Sequence, residues 1–316
     1  MNPFRKFYSF LCITAYKQSA RILKHKKEMT DAQSKSCVIK TGKTIWYPSY
    51  KKYFYCDKTS GEGWFFRLKP LTDKGKYPVF FYLHGSGLNH AGENDMQMWE
   101  FCWLKKKLDK HPCHQVVVHC DFTYYDYACA YNTDEHSRVI EDIICYLEET
   151  YKNVDRSRLY IAGTSYGGYG TAYEVLRNPD KYAGAVSAMG FTHNERFPIT
   201  EWWQKNEYRR NLTEEDFRTL SGTPFYLTWA KNDHPSISEG SELLAEKLKE
   251  YGGTVKTKIY DDGAHTIASA FSKKKIGLNG CLKNKKSVDN QKGAVIVDGS
   301  LLCSKKENID FDCYIL

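Results

Sequence analysis

Two rhythms of hydrophobic residues divide the chain. Ile45 to Tyr47, Tyr53 to Cys56 and Trp64 to Leu68 are short aromatic or β-branched runs, separated by Lys, Thr-Ser-Gly and Gly. That punctuation predicts antiparallel strands. From Pro78 the runs become continuously apolar: Pro78 to Leu83 (PVFFYL), Val116 to Cys120, Leu159 to Ala162, Tyr182 to Met189, Pro224 to Ala230 and Thr254 to Tyr260. Between them, spacing near 3.6 residues predicts helices over Met96 to Leu108, Glu135 to Tyr151 (Val139, Ile143, Tyr146 and Leu147 on one face), Tyr169 to Arg177 and Glu239 to Tyr251. Strands apolar on both faces that alternate with helices predict an α/β class, a mostly parallel sheet covered on two sides. The opening antiparallel strands belong at one edge of it.

One strand-to-helix junction carries candidate chemistry. Gly163-Thr164-Ser165-Tyr166-Gly167 follows an apolar run and precedes a helical one. A sharp turn there lifts a serine hydroxyl clear of the carboxyl end of the sheet, and small flanking residues let neighbouring segments come close. The competing reading is a glycine-rich turn or phosphate loop, but neither the Walker spacing nor G-x-G-x-x-G is present. A serine hydroxyl needs a base, and the base needs an orienting group. His265, in Asp261-Asp262-Gly263-Ala264-His265, follows the last strand. Asp233, in Lys231-Asn232-Asp233, follows the strand before it. Asp261 and Asp262 are rival acids, so near His265 in sequence that reaching behind its imidazole would strain the loop. The backbone N–H of Tyr166 is one expected oxyanion donor. The second is expected from His84-Gly85-Ser86-Gly87, with Ser86 first and Gly87 second.

Charge changes the picture little. The formal charge of +8 is concentrated at the ends, +6 over residues 1–35 and +4 over 272–316, which leaves the body at −2. The body carries no zinc-finger, helix-turn-helix or RNA-binding signature, so nucleic acid is not an expected partner. Eleven scattered cysteines suit reduced thiols and a cytoplasmic setting. The first residues keep a faint outline of a signal peptide, which leaves secretion as the alternative. His111, Cys113 and His114, followed by His119 and Cys120, lack a second ligand pair at zinc-like spacing; no metal is expected. No run approaches the roughly 20 apolar residues of a membrane span. The ending Cys313-Tyr314-Ile315-Leu316 has the shape of a prenylation box, but such four-residue matches are common coincidences, and membrane association is not expected.

These residues, HGSG, GTSYGG, the KND loop and GAH in that order, resemble the α/β-hydrolase superfamily over roughly Pro78 to Phe271. The Ser-Tyr-Gly-Gly-Tyr string resembles catalytic domains of prolyl-oligopeptidase-type serine peptidases. The compact layout resembles stand-alone esterases of the feruloyl-esterase, polyhydroxyalkanoate-depolymerase and "predicted peptidase" groups. The resemblance implies an α/β-hydrolase fold and a serine hydrolase without cofactor. Ser165 would attack, His265 would shuttle the proton and Asp233 would hold the histidine tautomer. Residues 1–76 are too few for the β-propeller of the oligopeptidases.

The expected organisation is a basic extension over 1–35, a catalytic domain over 36–276 with a cap-like insertion at 191–223, and a C-terminal extension over 277–316. Within that extension, Gly293 to Leu302 is a candidate strand or hairpin. Substrate contacts are expected from Tyr124 and Tyr125 in the tyrosine-rich segment 121–137, and from Trp202 and Trp203 in the insertion. The expected substrate is a small-molecule ester. A short peptide or amide is the alternative, and a non-catalytic binding protein on the same fold is the reading from another class. Oligomeric state is not legible in the sequence.

Overall fold

The computed structural model describes residues 37–44, 47–56, 63–85, 108–120, 133–194, 210–266, 294–297 and 300–303, with 98, 101, 104, 105, 131, 196 and 198 between them. The strands are β1 (Cys37–Lys43), β2 (Lys51–Cys56), β3 (Gly63–Lys69), β4 (Tyr77–Leu83), β5 (His114–Cys120), β6 (Val154–Thr164), β7 (Gly184–Ala188), β8 (Phe225–Ala230) and β9 (Val255–Tyr260). The helices are α1 (Asp134–Tyr151), α2 (Tyr166–Arg177), α3 (Glu214–Ser221) and α4 (Pro235–Glu250). Nine strands form one sheet in the order β1-β2-β3-β5-β4-β6-β7-β8-β9. β5, β4, β6, β7, β8 and β9 run parallel, and β1 to β3 are added antiparallel at one edge. The expected α/β-hydrolase arrangement, with its antiparallel edge, is borne out.

The continuous apolar runs follow from what lies on each face. In β4, Val79, Phe81 and Leu83 join one core cluster, whereas Phe80 and Tyr82 join the other. β6 divides the same way, Leu159 and Ile161 against Tyr160 and Ala162. Successive side chains of a strand point to opposite faces, so each must be apolar when helices cover both. Val139, Ile140, Ile143, Ile144 and Leu147 of α1 cover the first face, with Tyr169, Ala172 and Tyr173 of α2. Met98, Phe101, Leu104 and Leu108, all helical, cover the second.

Element starts differ from expectation at three places. Of the strand expected over Ile45 to Tyr47, Ile45 and Trp46 lie outside the described residues, Tyr47 is not in a strand, and the first described strand is β1. Tyr47 instead opens a turn in which its carbonyl accepts from the Tyr50 N–H at 2.8 Å. Pro48 has no N–H to give a sheet ladder, so strand pairing resumes only after the turn. The helix after Ser165 begins at Tyr166 rather than Tyr169, and α4 begins at Pro235 rather than Glu239. Proline suits the first helical turn, where its missing N–H would have no intrahelical acceptor. The described end of the 191–223 insertion contains α3, opened by a Thr213–Asp216 capping box, and puts Leu212, Phe217 and Leu220 into the main core. Ala294–Val297 and Ser300–Cys303 pair as a separate antiparallel hairpin, β10 and β11. At the start of β5, His114 Nε2 meets Asn153 Oδ1 at 2.9 Å, and its Nδ1 accepts from the Leu71 N–H at 3.3 Å. Cys113 is buried, which pushes its thiol up to about 12.

One charged group lies inside the first face. Glu174 on α2 is buried and accepts from Ser137 Oγ at 2.6 Å, Tyr182 Oη at 2.8 Å and Asn178 Nδ2 at 3.0 Å. His136 Nδ1 stands 3.5 Å away and Lys181 Nζ 3.9 Å away. Burial alone would raise its pKa, but His136, Lys181 and Ser137 together hold it below the ordinary 4.5. A depressed carboxyl contributes stability above its unfolded pKa and loses it as pH falls through the folded one. Glu174→Gln should therefore lower stability at pH 7 by about 3 kcal/mol. Urea midpoints of the two proteins should converge as pH is lowered below 4.5. A gap independent of pH would contradict this account of the buried carboxylate.

Candidate active site

Ser165 is the hinge between β6 and α2. Its backbone has φ 56° and ψ −117°, outside every region a side-chain-bearing residue prefers. Such strain costs of order 1–3 kcal/mol and persists only where surroundings over-determine it. Here the Ser165 N–H donates to the Ala188 carbonyl at 2.7 Å, and the Ser165 carbonyl accepts from the Tyr169 N–H at 3.0 Å. The flanking glycines make the close turn possible. A Cβ on Gly163 would meet the Gly167 carbonyl, and one on Gly167 would meet the carbonyl of Leu83 at the end of β4. Tyr166 then takes the first position of α2, where an α-helix supplies no acceptor for the N–H.

The structure brings Ser165, Asp233 and His265 together. Ser165 Oγ is 2.7 Å from His265 Nε2. His265 Nδ1 is 2.9 Å from Asp233 Oδ2 and 3.2 Å from Oδ1. The side chain of Asp233 is 3% exposed and that of His265 43%. Asp233 is held from its own turn: its N–H donates to the Ala230 carbonyl at 3.2 Å, and its Oδ1 accepts from the His234 N–H at 2.7 Å. β8 and β9 are neighbours and parallel, so the turns after them leave the sheet side by side. The rival acids have other partners. Asp261 pairs with Lys231 Nζ at 2.7 Å, and Asp262 Oδ1 accepts from Asn232 Nδ2 and from the Gly263 N–H, both at 2.7 Å.

Asn232 joins the site without any mark in the sequence. Besides Asp262, it accepts the Ala264 N–H on Oδ1 at 2.8 Å. Its partners lie some thirty residues downstream, so no local spacing marks it. Ala264 itself has φ 42°, a left-handed conformation costing alanine roughly 1–2 kcal/mol.

His84 is buried, and burial lowers its pKa to about 4 against the smaller opposing effect of the Gly85 carbonyl. The ring is neutral at pH 7, with Nδ1 2.8 Å from that carbonyl. Tyr131 packs on both His84 and Tyr166, at ring-centroid distances of 5.7 Å and 5.2 Å. The expected sites Ser86, Gly87, Tyr124, Tyr125, Trp202 and Trp203 lie outside the described residues, as do the extension 1–35 and Cys313 to Leu316.

A cavity of about 450 Å³ lies between the segment after β7 and the start of α4, walled by Phe191, Pro198 and Ile237 with His193, Arg196 and Ser236 among its polar residues. Phe191 stacks on Tyr169, one turn along the helix from Ser165, with centroids 4.8 Å apart. Arg196 forms an ion pair with Glu239.

Comparison with known proteins agrees with this fold. Residues 125–278 match the model of the prolyl oligopeptidase family. A thermostable esterase superposes with a TM-score of 0.52 at 22% identity, covering 71% of this chain and 60% of its own. An S-formylglutathione hydrolase from Agrobacterium tumefaciens superposes at 0.51 and 18% identity, covering 71% and 91%. A relative from Arthroderma benhamiae described as an uncharacterized secreted protein is 28% identical over 133 residues, 39% of this chain but only 14% of that relative's length. Strand order and these likenesses show that the chain has the α/β-hydrolase fold, and residues 125–278 resemble the prolyl oligopeptidase family.

Proposed function

We propose that the protein is a serine hydrolase that cleaves carboxylic esters through an acyl-enzyme. The observation that supports it most strongly is the unbroken relay from Ser165 Oγ through the His265 ring to Asp233, with both hydrogen-bond distances under 3 Å. A hydroxyl within hydrogen-bond reach of an imidazole, itself oriented by a buried carboxylate, is the arrangement that activates serine.

In this reading Ser165 Oγ bonds to the ester carbonyl carbon as its proton passes to His265 Nε2. The carbonyl π pair moves onto oxygen, where the Tyr166 N–H and a donor from the His84-Gly85-Ser86-Gly87 loop stabilise it. Collapse breaks the bond to the alkoxide, which leaves with the proton from Nε2. Water then repeats the sequence on the acyl-serine, releases the acid and restores the hydroxyl. Asp233 keeps the other ring proton on Nδ1 and stabilises the transient imidazolium. No step requires a cofactor.

The apolar cavity beside Phe191 supports an acyl or aryl group seated against Pro198 and Ile237. A second reading, a peptidase or amidase, draws on the family match over residues 125–278. Free thiols at Cys113 and Cys145 fit the cytoplasmic setting proposed here; secretion is the alternative. Among the described residues, no helix is long and apolar enough to cross a membrane.

A fluorophosphonate probe should label the folded protein at Ser165, and Ser165→Ala should abolish labelling and lower kcat by about 10⁶. Absence of labelling would favour a binding protein on this fold. Asp233→Asn should keep the fold but reduce kcat by about 10⁴, because the amide favours the wrong imidazole tautomer. Among p-nitrophenyl esters and peptide anilides, the ester reading expects higher kcat/KM on the esters, and the reverse order would select the peptidase. Phe191→Ala should cost about 10-fold on the longest acyl chain accepted and little on acetate; a uniform loss would place the acyl group elsewhere.

A further inference from the structure

We propose that Asn232 is a positioning residue that sets the backbone from which His265 reaches both its partners. Its catalytic consequence rests on the hydrolase reading above; the hydrogen bonds behind it do not.

The turn that carries His265 has little packing to hold it. Asp261, Asp262 and His265 are exposed, and Gly263 and Ala264 are only half-buried. The same turn is strained at Ala264, whose φ is 42°, next to Gly263 at φ 136°, which glycine adopts freely. An exposed, strained turn keeps one conformation only if specific bonds select it. Asn232 supplies two of them. Its Oδ1 takes the Ala264 N–H at 2.8 Å, and its Nδ2 gives to Asp262 Oδ1 at 2.7 Å. The partners fix the amide orientation, since a backbone N–H only donates and a carboxylate only accepts.

Adjacent residues of one turn therefore grip adjacent residues of the other. Asn232 holds the Ala264 backbone, and Asp233 holds the His265 ring at 2.9 Å. The Asp233 carboxylate is already anchored by the His234 N–H. The freedom left in the relay is that of the histidine's own backbone, which Asn232 restrains. Alanine at 232 supplies neither bond. Aspartate keeps the acceptor but faces the Asp262 carboxylate. The neighbouring Lys231–Asp261 pair also joins the two turns, but through side chains 65% and 91% exposed that do not touch the Ala264 backbone. Exposed pairs of this kind contribute little.

The test compares Asn232→Ala with Lys231→Ala in the full chain by two independent measurements. The first is the low-field proton resonance of His265 Nδ1–H, assigned by its loss in His265→Ala. It should be sharp in the parent protein and in Lys231→Ala, and weakened or lost in Asn232→Ala. The second is steady-state hydrolysis: Asn232→Ala should lower kcat about 10- to 100-fold, the loss expected from a small misplacement of a reacting group. KM should stay within about two-fold, and the thermal midpoint should stay close to that of the parent. Retention of the resonance in Asn232→Ala would overturn the proposal. So would an equal loss in Lys231→Ala, or a rate loss explained by unfolding at the assay temperature. If the parent protein shows the resonance but neither hydrolyses esters nor labels at Ser165, the hydrolase reading fails while the resonance still decides the role of Asn232.

Discussion

The backbone of Ser165 is the constraint on which the rest of the site depends. A residue at φ 56° and ψ −117° does not stay there by preference. It is held because β6 must pass into α2 with almost no loop, because Gly163 and Gly167 let three backbone segments meet without side chains, and because Ala188 at the end of β7 takes the serine N–H. The hydroxyl is thereby pointed off the sheet's carboxyl edge. Parallel strand order supplies the rest, since β8 and β9 end at that same edge and deliver Asp233 and His265 from adjacent turns.

Behind Ser165, aromatic packing gives α2 a firm seat. Tyr166 stacks on Tyr169 at 5.6 Å, and Tyr169 contacts Tyr173 at 4.3 Å and Phe191 at 4.8 Å. These rings tie the buried core to Phe191 on the cavity wall. The contrast with the histidine side is physical. Ser165 is set by a core, whereas His265 is set by hydrogen bonds in an exposed turn. That asymmetry makes the histidine loop the part of the site most sensitive to single polar contacts.

Much of this was legible in the sequence, for reasons visible in particular elements. PVFFYL reads as a strand buried on both faces because Phe80 and Phe81 do face opposite cores. Gly163 and Gly167 could be read as spacers because a tight strand-to-helix turn tolerates nothing larger. Other features were hidden. The start of α4 was read four residues late, since Pro235 and the polar residues after it lack apolar periodicity and the helix is set by an N-cap from His234. The buried Glu174 could not be told from a surface glutamate, because Ser137 lies 37 residues away on α1 and nothing local marks Asn178 and Tyr182 as its partners. Asn232 was hidden for the same reason: pairing across about thirty residues leaves no periodic trace.

The central claim is that a covalent bond forms at Ser165 during turnover. Rapid acid quench of the enzyme with excess p-nitrophenyl acetate, followed by peptide mass spectrometry, tests it most directly. The account predicts a burst of p-nitrophenol matched by one acetyl group on the peptide bearing Ser165. Turnover with no acetyl group on that peptide, or with the acetyl group on another residue, would contradict it.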